Sequence, residues 1–371
     1  MRILLLAHAP AVHTRRWAQG LRERGHELRL LTATESEVPS GVPTRVVGWP
    51  LPISALRYAS ARKAVRQELR AFRPDVTVAH FLPSYGFLAA LAGATPWMLV
   101  CWGSDLLRNA TRTPFHRARA RWTLRSAQLI HVDAGNLEEA ALRLGAEPEK
   151  VWKRAWGVNV RALEPKGAWA ARRAGSSALR VLWTRQLETL YDPATFVRAL
   201  GILGRKGVAF RATMAGAGPL RPDLEALARR EGIAEQVVFT GWVEGEKLLA
   251  LYRGHDAYVS LSRSDSTSQS LLEGMAAGLA PVVTDIAGNR EWVTHRREGL
   301  LVPVGDAEAV ACALAEIARD AATAGAMADR ARAAVTSGAR FDDTLAETEE
   351  RLRAIAVTAA GRNGALRGDP A

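Results

Sequence analysis

The sequence predicts two successive α/β domains, each a doubly wound parallel sheet covered by helices on both faces. Three observations lead there. Apolar runs of strand length alternate with amphipathic stretches of helix length along nearly the whole chain. At 371 residues the chain is too long for one domain of the commonest size and suits two of roughly 150–200 residues. The alternation breaks once, within residues 164–178, where EPKGAWAARRAGSS gathers Gly, Ser and charge. That stretch reads as a linker between an N-terminal domain, 1–163, and a C-terminal domain, 179–342. With 48% apolar and 24% charged residues, packed cores are sustainable and wholesale disorder is excluded.

In the first half, Ile3–Ala7 reads as a strand, Thr14–Arg24 as an amphipathic helix stopped by Gly25, and HELRLLT as the next strand. Helices around 59–72, 85–92, 115–125 and 136–145 then alternate with strands near 76–79, 98–101, 128–131 and 151–154. In the second half, strands are expected at 180–183, 209–215, 237–239, 257–261 and 281–284. Helices at 193–203, 219–231, 245–252 and 269–277 separate them, and helices at 306–319, 323–335 and 343–357 follow. In open parallel sheets, ligands bind beyond the carboxyl ends of the strands, so the post-strand loops are the places to look for chemistry.

Composition narrows the classes further. Cys101 and Cys312 are the only cysteines, which excludes a disulfide framework and a cysteine-built zinc site and fits a reducing compartment. No secretory signal opens the chain, so a cytoplasmic protein is expected. Val76–Ser104 lacks Lys, Arg, Asp and Glu, but Pro83, Gly86, Gly93 and Pro96 interrupt it, so it divides into strand, helix and strand. Residues 1–165 hold 24 Lys/Arg against 13 Asp/Glu, and the remainder 26 against 25, so +11 of the +12 net charge lies in the first half. Arg57, Arg62, Lys63, Arg66, Arg70 and Arg73 surround only Glu68. Arg108–Arg125 holds six Arg and no acid, with Phe115 and Trp122 interleaved. The second stretch suits an anionic lipid surface or a plain solvated face; no nucleic-acid module is present, and no nucleic-acid partner is expected.

The sharpest chemical signal is SDSTSQSLLEGMAAGLAPVVTD, Ser264–Asp285. A strand ends, a small polar loop follows, and a helix begins near Gln269, exposing N–H groups that suit a phosphate. Glu273 lies one turn inside, where a carboxylate can hold two vicinal hydroxyls, and Asp265 stands eight positions earlier in the loop. A helix capped by Ser268, with Glu273 merely favouring its dipole, accounts equally well for the spacing.

This segment resembles the signature of family-4 retaining glycosyltransferases, whose GT-B fold sets two facing Rossmann-like domains around an interdomain cleft. RGHEL near the start, WGV at Gly157, MAGAGPL, FTGWV, GNREWV and GLLVPVGD extend the resemblance over nearly the whole chain. It implies a nucleotide-sugar donor held by the C-terminal domain and a hydroxyl acceptor held by the N-terminal one. It further implies a helix at 343–358 that crosses back to the N-terminal domain, with 359–371 left as a flexible tail. By the resemblance, Glu273 holds the nucleotide ribose and Asp265 the donor sugar, with Asp standing where Glu is usual. Ser266, Thr267 and Ser268 replace the usual glycine-rich loop and, with Gln269, contact the donor phosphate. Arg185, at the end of strand RVLW, clamps the diphosphate; the catalytic assignments fall on Asp265 and Arg185. The customary Lys six residues after that Arg is Tyr191 here. Gly216 and Gly218 form a tight turn beside the donor, a weak motif alone.

On the acceptor side the resemblance points to His13, Arg16, His80, Trp102 and Asp105. Trp102 replaces a usual histidine and offers an aromatic face to a sugar or lipid element. No metal and no cofactor is expected, since Arg185 and helix N-termini can neutralise the diphosphate. The basic N-terminal half favours a lipid-linked acceptor at the inner membrane face, in glycolipid or envelope polysaccharide synthesis. A non-catalytic partner subunit is the rival reading, fed by Tyr191, Asp265 and Trp102; a sugar-nucleotide epimerase or hydrolase is the other.

Overall fold

A computed structural model describes residues 1–33, 41–47, 54–165, 167–173 and 177–367. It divides into two compact units, Met1–Arg154 with Asp343–Ala371, and Ala155–Asp342. Among the described residues, no helix is long and apolar enough to cross a membrane.

The first unit is built on a seven-stranded, all-parallel sheet. In chain order it comprises β1 (Arg2–Leu6), α1 (Val12–Glu23), β2 (Glu27–Thr32), β3 (Thr44–Val46), α2 (Ser54–Phe72), β4 (Val76–His80) and α3 (Phe87–Ala92). Then come β5 (Trp97–Val100), α4 (Pro114–Ser126), β6 (Leu129–Val132), α5 (Gly135–Arg143) and β7 (Val151–Lys153). The order β3-β2-β1-β4-β5-β6-β7 reverses between β1 and β4, the switch point at which such sheets open a crevice. Strands β4, β5 and β6 are buried along their whole length, which is why their sequences read as continuous apolar runs. Two π-helical turns, Phe81–Gly86 and Asp105–Asn109, follow β4 and β5, where sequence periodicity shows no irregularity. Edge strand β3 was not foreseen either, being only three residues long.

The second unit begins with α6 (Trp169–Arg173) and β8 (Leu179–Trp183). It continues through α7 (Pro193–Arg205), β9 (Phe210–Met214), α8 (Arg221–Arg230), β10 (Val237–Phe239), α9 (Gly245–Gly254) and β11 (Ala257–Ser260). After these come α10 (Gln269–Ala276), β12 (Ala280–Thr284), α11 (Ala287–Arg290), β13 (Leu300–Val302), α12 (Ala307–Arg319) and α13 (Ala321–Gly338). Its parallel sheet has the order β10-β9-β8-β11-β12-β13, so an unforeseen sixth strand, from GLLVPVGD, closes one edge. The last helix, α14 (Phe341–Arg367), joins the first unit from Asp343 onward. There Glu349 pairs with Arg24 and His26, Glu347 pairs with Arg154, and Arg351 lies over the Trp152 ring.

Two boundaries differ from those expected. The first unit ends at Arg154 rather than 163, because residues 155–163 belong to the second unit. Gly157, at φ 78°, lets the chain run so close to Arg340–Phe341 that a Cβ would lie 2.7 Å from backbone. Val158 then exchanges backbone hydrogen bonds with Ala339 and Phe341. Within the expected linker, Trp169 is 2% exposed in the second core, and its indole donates to the Asp256 carbonyl at 2.9 Å. At the other end, α14 runs on to Arg367, so residues 359–367 of the expected tail are helical; no proline breaks that stretch, and Ala, Leu and Arg favour helix.

Replacing Trp169 with Ala is expected to lower the unfolding free energy of the second unit by about 3–5 kcal/mol, read by urea titration. A change no larger than that of the exposed Arg229→Ala substitution would return residues 164–173 to a linker.

Candidate functional site

In the second unit, the carboxyl ends of β8 and β11 and the start of α10 bring one polar cluster together. The chain leaves β8 at Trp183, whose indole donates to the Arg185 carbonyl at 2.8 Å. That same carbonyl lies 2.1 Å from where a Cβ on Gly216 would be, so only glycine lets the turn after β9 pack here. Gly218 is confined in the same way by the Leu187 carbonyl, 2.4 Å from its Cβ position. Leu187 N–H donates to the Ala217 carbonyl at 2.9 Å and closes the contact. The two glycines therefore fix the backbone that carries Arg185.

The Arg185 guanidinium is largely buried. Nη2 donates to Asp265 Oδ2 at 2.6 Å, and Nη1 to Ser268 Oγ at 2.9 Å and Ser270 Oγ at 3.3 Å. Tyr191 packs its ring under the fork, 4.2 Å from centroid to Cζ. Nε is buried and has no hydrogen-bond partner among the described residues. Burial works against the Arg185 charge, but Asp265 and the neighbouring tyrosines more than offset it, and its pKa lies above the ordinary arginine value.

Helix α10 starts on Ser268, whose Oγ accepts the Leu271 N–H. Glu273 Oε2 accepts the Tyr252 hydroxyl at 3.0 Å, and that hydroxyl also meets Thr184 Oγ1 at 2.9 Å. Tyr258 donates to Ser270 Oγ at 2.7 Å. Burial raises the pKa of both phenols, and Glu273 adds to the effect on Tyr252, so both are neutral donors near pH 7. The structure thus brings Arg185, Asp265, Ser268 and Glu273 into one cluster. It adds Thr184, Ser270, Tyr252 and Tyr258, whose sequence contexts read as ordinary strand and helix.

Other expected donor contacts serve the protein itself. Ser266, Thr267 and Ser268 are buried; Thr267 Oγ1 accepts from the Trp292 indole, and Gly288 is pressed against the Ser266 carbonyl. Gln269 Nε2 donates to the Gly157 carbonyl at 2.7 Å. These side chains shape the loop, which leaves backbone N–H groups at the start of α10 as its offering to an anion.

In the first unit, α1 begins at Val12, two residues before the expected start, so His13 joins Arg16 on the helix. The His13 ring meets the Trp102 indole edge-on at 5.6 Å, and that indole donates to His80 Nδ1 at 3.3 Å. Phe81 flanks the indole at 6.1 Å in a left-handed conformation, φ 69°, rare for a bulky residue. His80 is 1% exposed, and burial, then His13 and His131, lowers its pKa to about 3. His131 is lowered to about 4, first by burial, while its Nε2 donates to the Arg154 carbonyl. Asp105 is fully buried, and its carboxylate accepts the N–H groups of Leu82, Trp102, Gly103 and Leu106. Burial raises the Asp105 pKa, and these four donors offset only part of the rise. His80 and Asp105, expected to meet an acceptor, instead hold Trp102 in place.

A family model described as Glycosyl transferases group 1 matches residues 180–320, and one described as Glycosyl transferase 4-like domain matches 9–152. The GDP-mannose-dependent alpha-mannosyltransferase of Mycobacterium tuberculosis is 28% identical over 285 residues, covering 73% of this chain and 69% of that protein. The putative colanic acid biosynthesis glycosyltransferase WcaL of Salmonella typhimurium is 27% identical over 272 residues, 68% of this chain and 64% of that protein. The matched part spans 27%, 64% and 61% of the first three curated relatives, less than two thirds of each. Among solved structures, Anabaena Alr3699/HepE in complex with UDP superposes with a TM-score of 0.80 at 16% identity, covering 95% of this chain and all of that one. At that identity the match shows the fold, which is GT-B.

The buried histidines set a pH dependence. Each has a folded pKa below its unfolded value of 6.5, so neither matters above that pH, and each costs stability as pH falls below it. The loss runs to about pH 4 for His131 and about pH 3 for His80, at about 1.4 kcal/mol per pH unit each. His131→Gln keeps a donor near Nε2 and removes the titration; urea unfolding between pH 6 and pH 4.5 should show a slope shallower by about that amount. An unchanged slope would mean that His131 is not held neutral by the fold.

Proposed function

We propose that this chain, which belongs to the group 1 glycosyl transferases, moves a sugar from a nucleoside-diphosphate-sugar donor to a hydroxyl acceptor with retention at the anomeric carbon. Arg185 carries the reading: a largely buried guanidinium fork, held by Asp265 and Ser268, beside the start of α10 and Glu273, at the carboxyl end of a parallel sheet. The names of relatives support it, one being a GDP-mannose-dependent mannosyltransferase. The complexes of HepE with UDP and with UDP-glucose support a nucleotide-sugar donor.

The donor diphosphate lies on the first-turn N–H groups of α10 and beside the Arg185 guanidinium charge. Glu273, oriented by Tyr252, accepts the ribose hydroxyls, and Asp265 accepts a hydroxyl of the donor sugar. As the anomeric C–O bond to phosphate breaks, charge grows on the leaving diphosphate, where Arg185 and the helix N–H groups stabilise it. The acceptor oxygen bonds to the anomeric carbon from the same face, and its proton passes to the leaving phosphate oxygen. Tyr191 gives the clamp an aromatic floor in place of a second cation. Neutralisation by Arg185 and the helix requires no bound metal. The acceptor side is Trp102, and the likeness to WcaL, named for colanic acid biosynthesis, favours an acceptor in polysaccharide synthesis.

Thermal shift with UDP, GDP, ADP, TDP and their sugar conjugates tests the donor. A ligand at 100 times its dissociation constant adds about 2.7 kcal/mol. One nucleotide is expected to stabilise the protein, with the shift lost in Glu273→Ala. No shift with any of them would favour the non-catalytic partner instead. Arg185→Ala should lower kcat by about 100-fold or more while folding is retained, and turnover should persist in EDTA; loss of turnover in chelator would put a metal at the diphosphate.

A further inference from the structure

We infer that the outer face of α4 docks the first unit onto an anionic lipid surface. This goes beyond glycosyl transfer and rests on a face remote in sequence from the donor site. Helix α4 buries Ala120, Thr123 and Leu124 and turns Phe115, Ala118 and Trp122 outward. At 3.6 residues per turn these three form a single stripe along the helix. Phe115 is 69% exposed and Trp122 45%, and the two share one face of the helix rather than being scattered singly. Phe87, from α3, meets the Trp122 ring at 5.7 Å and widens the stripe.

Arginines border the stripe on both flanks. Arg117, Arg121 and Arg125 are exposed along one side, and Arg119 lies on the other, over the rings of Phe87 and Phe115 at 5.2 and 5.9 Å. No Asp or Glu occurs between Asp105 and Asp133. None of these four arginines forms an ion pair with a carboxylate among the described residues. Cations left uncompensated beside exposed rings match the charge and depth of an anionic leaflet. Guanidinium groups meet the lipid phosphates while Phe115 and Trp122 enter the interface between headgroup and acyl chain. A nucleic-acid backbone would use the arginines and leave the apolar stripe in water.

Flotation of the full chain with phosphatidylcholine vesicles, with and without about 30 mol% phosphatidylglycerol, tests the inference. Binding is expected only with the anionic lipid and should weaken at about 0.5 M salt. Near such a surface each Arg contributes roughly a fivefold factor in partition, so Arg117→Glu/Arg121→Glu/Arg125→Glu should weaken binding by about 100-fold or more. Phe115→Ser/Trp122→Ser should weaken it with the charge intact. Both variants change exposed side chains, and an unaltered thermal midpoint confirms that they fold; nucleotide thermal shift should also be unaffected, which separates this surface from the donor site. Arg229→Glu/Arg230→Glu, on the second unit, should bind vesicles as the parent does. Equal binding to neutral vesicles, insensitivity to either α4 variant, or tight binding of a DNA duplex without vesicle binding would overturn it.

Discussion

The carbonyl oxygen of Arg185 lies where the first side-chain atom of any residue but glycine would stand at Gly216, and the Trp183 indole donates to it from the other side. Much of the second unit's chemistry depends on that confinement. A guanidinium on a mobile loop would lose its geometry to side-chain entropy, whereas one on a backbone pinned between two turns presents its fork in one orientation. Asp265, Ser268 and Ser270 accept from Nη1 and Nη2, and Tyr191 lies beneath. The low dielectric around the buried fork strengthens each of these contacts.

The first unit uses buried polarity differently. Asp105 faces no solvent, and its carboxylate closes on four backbone N–H groups at the mouth of a π-helical turn. Together with the His80 acceptor for its indole, this anchors Trp102 at both backbone and side chain. The polar groups stay buried because they are hydrogen-bonded, and what they leave accessible is an aromatic surface. Phe81, strained at φ 69° beside it, marks the same end of the sheet as one where packing has been subordinated to presentation.

Charge is divided between the halves on a similar logic. The second half is nearly neutral because its acids and bases are almost equal in number, and several pair directly: Arg180 with Asp256, Arg263 with Asp192 and Arg290 with Asp285. The first half has cations that α4 leaves unmatched, so its long-range field is positive.

Alternation of apolar runs with amphipathic stretches was enough to determine two parallel α/β units and nearly every strand, because burial on both faces leaves a parallel strand no choice but continuous apolar sequence. The spacing of Asp265, Ser268 and Glu273 about one helix start was equally legible, since caps and first-turn acids obey local rules. Tertiary structure alone decided which groups each would meet. The pairing of Arg185 with Asp265 joins residues 80 positions apart, and the tyrosine that orients Glu273 stands in what reads as an ordinary helix. Trp169 looked like linker because its neighbours are Gly, Ser and charge; its burial follows from the space between β8, β11 and α13, which no local pattern records. Residues 155–163 join the second unit for the same reason: a glycine with positive φ permits an approach to Arg340 that is visible only once both strands of backbone are in place. Period and propensity act within a few residues of chain, whereas hydrogen-bond partners and close packing depend on distances through space.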